Sequence, residues 1–73
     1  MAHQKNKSNR LAETEFLKAI ELDSKSIEAR LQLGMLYVDM DKNIKAEDQF
    51  KKALEIDPGN IIIKELLKDI ELK

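Results

Sequence analysis

Apolar residues recur along the chain at intervals of three and four, the spacing that places side chains on one face of an α-helix. Four stretches show this pattern and predict amphipathic helices at about 9–22, 27–40, 44–56 and 61–72. Polar segments of three or four residues separate them, and such short connections favour antiparallel neighbours. The one β-branched cluster, residues 61–63, runs into helical spacing, so no strand is predicted. The pattern therefore indicates an all-α fold.

Helix boundaries have their own signals. Ser26 precedes the second stretch and Asn60 the fourth, and both residue types are preferred N-caps. Pro58 disfavours helical geometry at Asp57 and ends the third helix, while Gly59 permits a positive backbone φ in the turn that follows.

The chain also repeats itself with a period of 34. Residues 11–26 laid over residues 45–60 give seven identities in sixteen positions, and repeats of this length indicate stacked supersecondary units. The identical pairs are Ala12/Ala46, Glu13/Glu47, Phe16/Phe50, Lys18/Lys52, Ala19/Ala53, Glu21/Glu55 and Asp23/Asp57.

One unit carries a recognisable motif. It reads Arg30-x-x-Leu33-Gly34-x-x-Tyr37, then Ala46-x-x-x-Phe50, Ala53 and Pro58. This motif, at this period, resembles the tetratricopeptide repeat, whose pattern has Trp at the position of Arg30. The resemblance covers one full repeat at about 27–60, flanked by two half repeats. In the last half, Lys68 and Glu71 replace the Gly and Tyr of the motif.

The resemblance implies a short right-handed superhelix of antiparallel helix hairpins, and it assigns the residues that define the repeat. Gly34 and Ala46 are small where two helices approach closely, and Tyr37 and Phe50 fill the wedge between them. The full set is Leu33, Gly34, Tyr37, Ala46, Phe50, Ala53 and Pro58, with Ala12, Phe16 and Ala19 in the preceding half repeat.

By the same resemblance, the function is that of a non-catalytic protein–protein interaction module. The first helix of each repeat lines a groove that binds a partner peptide or helix. The residues assigned to this groove are Glu28, Leu31, Gln32, Met35, Val38, Asp39, Glu65 and Asp69. Because the charged members are all acidic, a clamp for a partner carboxylate is disfavoured, and a protein or peptide partner with apolar anchors and a basic residue fits better.

Candidate catalytic chemistry is sparse. There is no cysteine, and the one histidine, His3, has no partner at ligand spacing. The two glycines stand alone, so no phosphate-binding loop is predicted. Carboxylates recur with the repeat, which is typical of a solvated helix face. We therefore expect no enzyme, no cofactor and no metal site.

Length and composition set further limits. A chain of 73 residues, 42% of them hydrophobic, has one small core. Residues 1–8 are predicted to be a disordered tail, or residues added to the natural chain, and residues 9–73 the helical domain. No apolar run is long enough for a membrane span, and no secretory signal opens the chain. With no cysteine present, a cytoplasmic location fits better than a secreted one.

Charge argues against nucleic acid. The chain has 13 basic and 14 acidic residues, but Lys5, Lys7 and Arg10 lie together near the start, so the rest is acidic. A nucleic-acid binder carries a basic stripe on its folded part, and none is expected here. Nucleic-acid binding by these three basic residues is a remaining hypothesis, which a steep salt dependence of the affinity would reveal.

An alternative of another class is self-association. The chain starts at the second helix of a repeat, so an apolar face of the first predicted helix is left open. Half repeats with open ends would then pair between copies and form a homo-oligomeric scaffold. The residues expected on this face are Leu11, Phe16, Leu17 and Ile20.

Overall fold

Four α-helices make up the described part of the chain, as the computed structural model shows. They are α1 (Ala2–Leu22), α2 (Ile27–Asp39), α3 (Asn43–Ile56) and α4 (Ile61–Glu71). The structure describes the backbone of residues 2–71 and the side chains of residues 8–71, and no strand occurs within this range. The predicted all-α fold of four helices is confirmed.

The start of α1 differs from the expectation. The helix begins at Ala2 rather than near Asn9. No Pro or Gly stands between these two residues to stop it, and once a helix is nucleated each further residue adds a hydrogen bond. The division into a tail (1–8) and a domain (9–73) stays a prediction.

Side-chain caps open α2 and α4 at equivalent positions of the two repeats. Ser26 Oγ accepts a hydrogen bond from the Ala29 N–H at 3.2 Å. Asn60 Oδ1 accepts one from the Ile63 N–H at 3.1 Å. Each cap satisfies an N–H that the helix itself leaves without a partner. Both predicted N-caps are confirmed.

The C-terminus of α2 ends in a Schellman motif. The Lys42 N–H donates to the Tyr37 carbonyl at 2.8 Å, and the Asp41 N–H donates to the Val38 carbonyl at 3.0 Å. Asp41 has a φ of 61°, the left-handed conformation that this motif requires. Gly59, which would permit a positive φ, does not adopt one. The turn after α3 thus needs no left-handed residue.

The core forms because α3 lies between two helices: it packs on α2 on one side and on α4 on the other. Its buried face and the residues opposite it make up one cluster. The members are Leu33, Tyr37, Ala46, Phe50, Ala53 and Ile63. The closest approach is at Gly34, where a Cβ would overlap the Phe50 ring and lie 2.8 Å from Cδ1 and Cζ. Glycine at this position lets α2 and α3 meet.

Helix α1 packs on α2 and extends the stack by one layer. The α1 residues Ala12, Phe16 and Ala19 are half-buried, whereas their repeat equivalents on α3 are fully buried. Pro58 is exposed in the turn between α3 and α4.

Arg30, which stands where the motif has Trp, joins three parts of the fold. Its Nε and Nη2 donate to the Ser24 carbonyl at 3.2 and 3.0 Å. Its Nη1 donates to Gln49 Oε1 at 3.4 Å. The guanidinium therefore ties the α1–α2 turn to α3, a role for which five fixed donors suit arginine well.

Candidate functional site

A groove runs between α2 and α4, the two helices that begin with side-chain caps. Met35, Val38 and Asp39 line it from α2, and Leu66, Asp69 and Ile70 line it from α4, with Phe50 of α3 between them. Its volume is about 470 Å³. On each helix the three residues are spaced i, i+3 and i+4, so they share one face. The groove exists because both helices pack on α3 and leave a furrow between them.

The groove combines an apolar floor with acidic sides. Met35 is 56% exposed although it is a large apolar residue. Val38, Leu66 and Ile70 are half-buried and pack against the core on their inner side. The carboxylates of Asp39 and Asp69 stand exposed on the two helices. The groove therefore presents apolar surface beside two carboxylates.

Four of the eight predicted groove residues line this groove: Met35, Val38, Asp39 and Asp69. Glu28 and Gln32 lie instead beside a second concavity of about 360 Å³ between α1 and α2. There Gln32 Nε2 donates a hydrogen bond to Glu28 Oε1 at 3.3 Å. Leu31 is half-buried and packs against the core, and Glu65 is exposed on α4. The role of all eight residues in binding stays a prediction.

Three groove-lining residues were not among those predicted: Phe50, Leu66 and Ile70. Phe50 was assigned to the core, where it indeed lies with 0% exposure, but its ring also closes the groove. Leu66 and Ile70 belong to the apolar stripe of α4. Their spacing was visible in the sequence, although the sequence does not separate a groove-lining apolar residue from a core one.

Tyr37 fastens α1 to the full repeat. Its hydroxyl donates to Glu13 Oε2 at 2.7 Å. Desolvation by burial raises the pKa of Tyr37 to about 12, and the hydrogen bond to the Glu13 carboxylate and its negative charge contribute further. The Lys45 ammonium lies 5.7 Å from the centre of the Tyr37 ring, within the range of a cation–π contact. The tyrosine is thus a structural link rather than an acid–base group.

Within the part of the chain that the structure describes, no three His, Cys, Asp or Glu residues are grouped to hold a metal ion. The predicted tail residue His3 lies outside the described side chains. None of the helices described is long and apolar enough to cross a membrane.

Comparison with known proteins agrees with the repeat. A family model described as tetratricopeptide repeat matches residues 27–60. A protein O-mannosyl-transferase of Caenorhabditis elegans, F38B6.6, is 33% identical over 69 residues, which are 94% of this chain and 10% of the relative. The anaphase-promoting complex subunit 3 of Schizosaccharomyces pombe is 33% identical over 61 residues, 84% of this chain and 9% of the relative. The chain therefore spans about a tenth of the length of either relative.

Proposed function

This chain is a tetratricopeptide repeat protein through residues 27–60, and from that premise we propose that it is a non-catalytic binding module for a protein segment. The groove between α2 and α4 is the binding site. Its partner is a peptide or helix that carries an apolar anchor next to a lysine or arginine. One relative is named a transferase, but this chain spans only a tenth of its length. We therefore do not propose transferase activity.

The observation that carries this proposal is the exposure of Met35. This large apolar side chain is 56% exposed in a groove that two carboxylates also line. Methionine is unbranched and polarizable, so it adapts to differently shaped apolar partners. Burying it against a partner side chain supplies the apolar part of the binding free energy. Asp39 and Asp69 flank the contact; they attract a basic residue and repel a carboxylate, which favours specificity and fast association.

The other predicted residues extend the proposed contact surface. Glu65 precedes Asp69 by one helical turn and lengthens the acidic side of α4. Glu28 and Gln32 border the second concavity, where a longer partner segment would continue beyond the groove. Leu31 contributes by supporting Met35 one turn later on α2.

The experiment compares two substitutions of the same kind. Met35→Glu places a charge in the groove, whereas Ile44→Glu changes a residue that is 86% exposed and lies outside it. The probe is a synthetic peptide with two leucines spaced i and i+4 and an adjacent arginine. We expect the first variant to lose peptide binding and the second to keep it, with equal helicity by circular dichroism. Equal loss in both variants, or retention in both, would contradict the proposal.

Self-association is the alternative function, and the exposure of Leu11 (71%) and Leu17 (45%) on α1 favours it. In a head-to-tail pair, a second copy would pack its own α4 on this face. Lys68 opposes that arrangement, since it stands where the pairing helix α2 has Gly34. Sedimentation at several concentrations tests the alternative: a monomer throughout removes it, and a dimer at micromolar concentration supports it.

A further inference from the structure

All the sulfur atoms of this chain belong to methionines, because the sequence has three Met and no Cys. The structure describes two of these side chains. Met35 is 56% exposed and lines the groove between α2 and α4. Met40, one turn further along the chain, is half-buried and packs against the core. Of the two, the sulfur of Met35 is therefore the one that a dissolved oxidant reaches more easily.

Oxidation of this thioether by hydrogen peroxide needs no further group from the protein. A lone pair of the sulfur attacks one peroxide oxygen, the O–O bond breaks, and the sulfur–oxygen bond of methionine sulfoxide forms. The sulfur loses two electrons, the peroxide gains them, and the second peroxide oxygen leaves as water. A flexible apolar side chain thereby becomes a polar one, whose oxygen is a hydrogen-bond acceptor.

Among the described residues, the side chains that line the groove offer no hydrogen-bond donor for that oxygen. Asp39 and Asp69 are carboxylates, which accept hydrogen bonds and donate none. The other lining residues are apolar: Val38, Phe50, Leu66 and Ile70. In the free protein, water satisfies the oxygen, because the side chain is exposed. Once an apolar partner side chain covers the groove, the oxygen loses this water, and an acceptor buried without a donor is costly.

We propose that Met35 is a modification site, and that its reversible oxidation to the sulfoxide by a peroxide releases the partner from the groove. The inference rests on the proposed function, since it concerns the regulation of the same groove. The unsatisfied oxygen should lower the affinity for an apolar partner about tenfold or more. A lysine or arginine of the partner does not compensate, because the carboxylates of Asp39 and Asp69 are the stronger acceptors for its donors.

The selectivity of the oxidation is tested without any partner. The whole chain is titrated with hydrogen peroxide, and the oxidised residues are identified by peptide mapping in a mass spectrometer. We expect the sulfoxide at Met35 to form before that at Met40. Helicity by circular dichroism should stay unchanged while Met35 is oxidised and Met40 is not. Earlier oxidation of Met40, or a loss of helicity that accompanies the oxidation of Met35, would overturn the proposal.

The effect on binding is measured with the synthetic peptide of two leucines and an arginine, before and after peroxide treatment. The natural chain should lose about tenfold or more in affinity. Met40→Leu, which conserves volume and so keeps the fold, should lose as much. Met35→Leu should bind equally before and after treatment, whatever its starting affinity. The two methionine sulfoxide reductases, one for each sulfoxide epimer, should restore binding of the natural chain with a dithiol that becomes a disulfide as the oxygen leaves in water.

Failure of this inference and failure of the proposed function give different results. If the untreated chain binds the peptide and still binds it equally once Met35 is fully oxidised, the regulatory role of Met35 is overturned and the groove remains the binding site. If peroxide weakens binding by Met35→Leu as much as by the natural chain, oxidation acts elsewhere, since that variant keeps Met1 and Met40, and the inference is again overturned. If the untreated chain does not bind the peptide, the proposed function is wrong, and the inference that rests on it is wrong as well.

Discussion

Replacing Gly34 by alanine is the smallest change that tests how the two helices of the full repeat meet. Gly34 is buried in the middle of α2. A Cβ at this position would overlap Phe50 Cε1 and lie 2.8 Å from both Cδ1 and Cζ. The ring is 0% exposed, although one side of it borders the groove between α2 and α4. The added methyl group must therefore push the helices apart or distort the ring's packing.

Two effects of opposite sign decide the magnitude. Alanine in a helix interior is more favourable than glycine by about 1 kcal/mol. Overpacking a closed core costs ~1–3 kcal/mol, and three close ring atoms place this site in the upper part of that range. We expect a net loss of about 1–2 kcal/mol, which for a domain of this size lowers Tm by roughly 5–15 °C.

Circular dichroism at 222 nm during heating and in urea measures this loss, and the chain contains its own control. Gly59→Ala adds the same methyl group where nothing lies within 4 Å and φ is not positive. There the free energy of unfolding should be unchanged or rise by about 0.4–1 kcal/mol, because alanine restricts the unfolded chain.

A double-mutant cycle identifies the cause. In the Phe50→Leu variant, the ring that the added Cβ would overlap is absent. Gly34→Ala should then leave the free energy of unfolding unchanged or raise it. The coupling between positions 34 and 50 should then be about 1–3 kcal/mol, within the range for residues in contact. If Gly34→Ala raises Tm as Gly59→Ala does, or if the loss persists unchanged with Phe50→Leu, the close contact between α2 and α3 is not what holds glycine at this position.

Three further predictions concern single groups. Asp41→Gly should raise the free energy of unfolding by about 1 kcal/mol, because glycine adopts the left-handed conformation at φ 61° without steric cost; a lower Tm would argue against the Schellman motif. Ser26→Ala and Asn60→Ala should each cost about 1 kcal/mol in urea unfolding, since each removes an N-cap, and no loss would contradict the capping bonds. Tyr37 is the one tyrosine of the chain, so absorbance at 295 nm follows its ionisation alone. Its pKa should lie near 12 and should be lower in the Glu13→Gln variant. Because the folded state holds this proton more tightly than the unfolded state, the stability that it contributes is present below pH 10 and is lost between pH 10 and 12. A wild-type pKa of 10 would contradict the burial of the hydroxyl together with its bond to Glu13, and an unchanged pKa in Glu13→Gln would contradict that bond.

The sequence was sufficient for most of the fold because the local signals agreed with one another. Helical spacing predicted α2, α3 and α4 to within one or two residues, and Ser26 and Asn60 both cap as expected. The start of α1 could not be predicted, since Asn9 resembles a cap but nothing before it breaks a helix.

Two details of the turns depended on hydrogen bonds that a pattern does not contain. Gly59 carried the usual signal for a left-handed residue, yet the left-handed residue is Asp41. The choice is made by the N–H groups of Asp41 and Lys42, which close on carbonyls of the preceding turn. Arg30 was noted as a departure from the motif, and its role emerged only when the fold brought the Ser24 carbonyl and Gln49 within its reach.

The residues that line the groove were predictable only in part. Met35, Val38 and Asp39 share a face of α2, and their lining of one groove with Asp69 followed from the repeat. Leu66 and Ile70 were missed because an apolar side chain at helical spacing packs either in a core or along a groove. Which one it does depends on how far α4 stands from α2, a distance set by their common packing on α3.

Methyl NMR tests the binding proposal most directly, because Met35, Val38, Leu66 and Ile70 all carry methyl groups that report on the groove. Titration with the leucine–arginine peptide should shift these four methyls together, and Ile44 and Leu11, which lie outside the groove, should stay in place. The same peptide with glutamate for arginine should bind more weakly, and Asp39→Asn with Asp69→Asn should remove that difference. Groove methyls that do not move at millimolar peptide, or that move equally with either peptide, would contradict an acidic-sided apolar groove as the binding site.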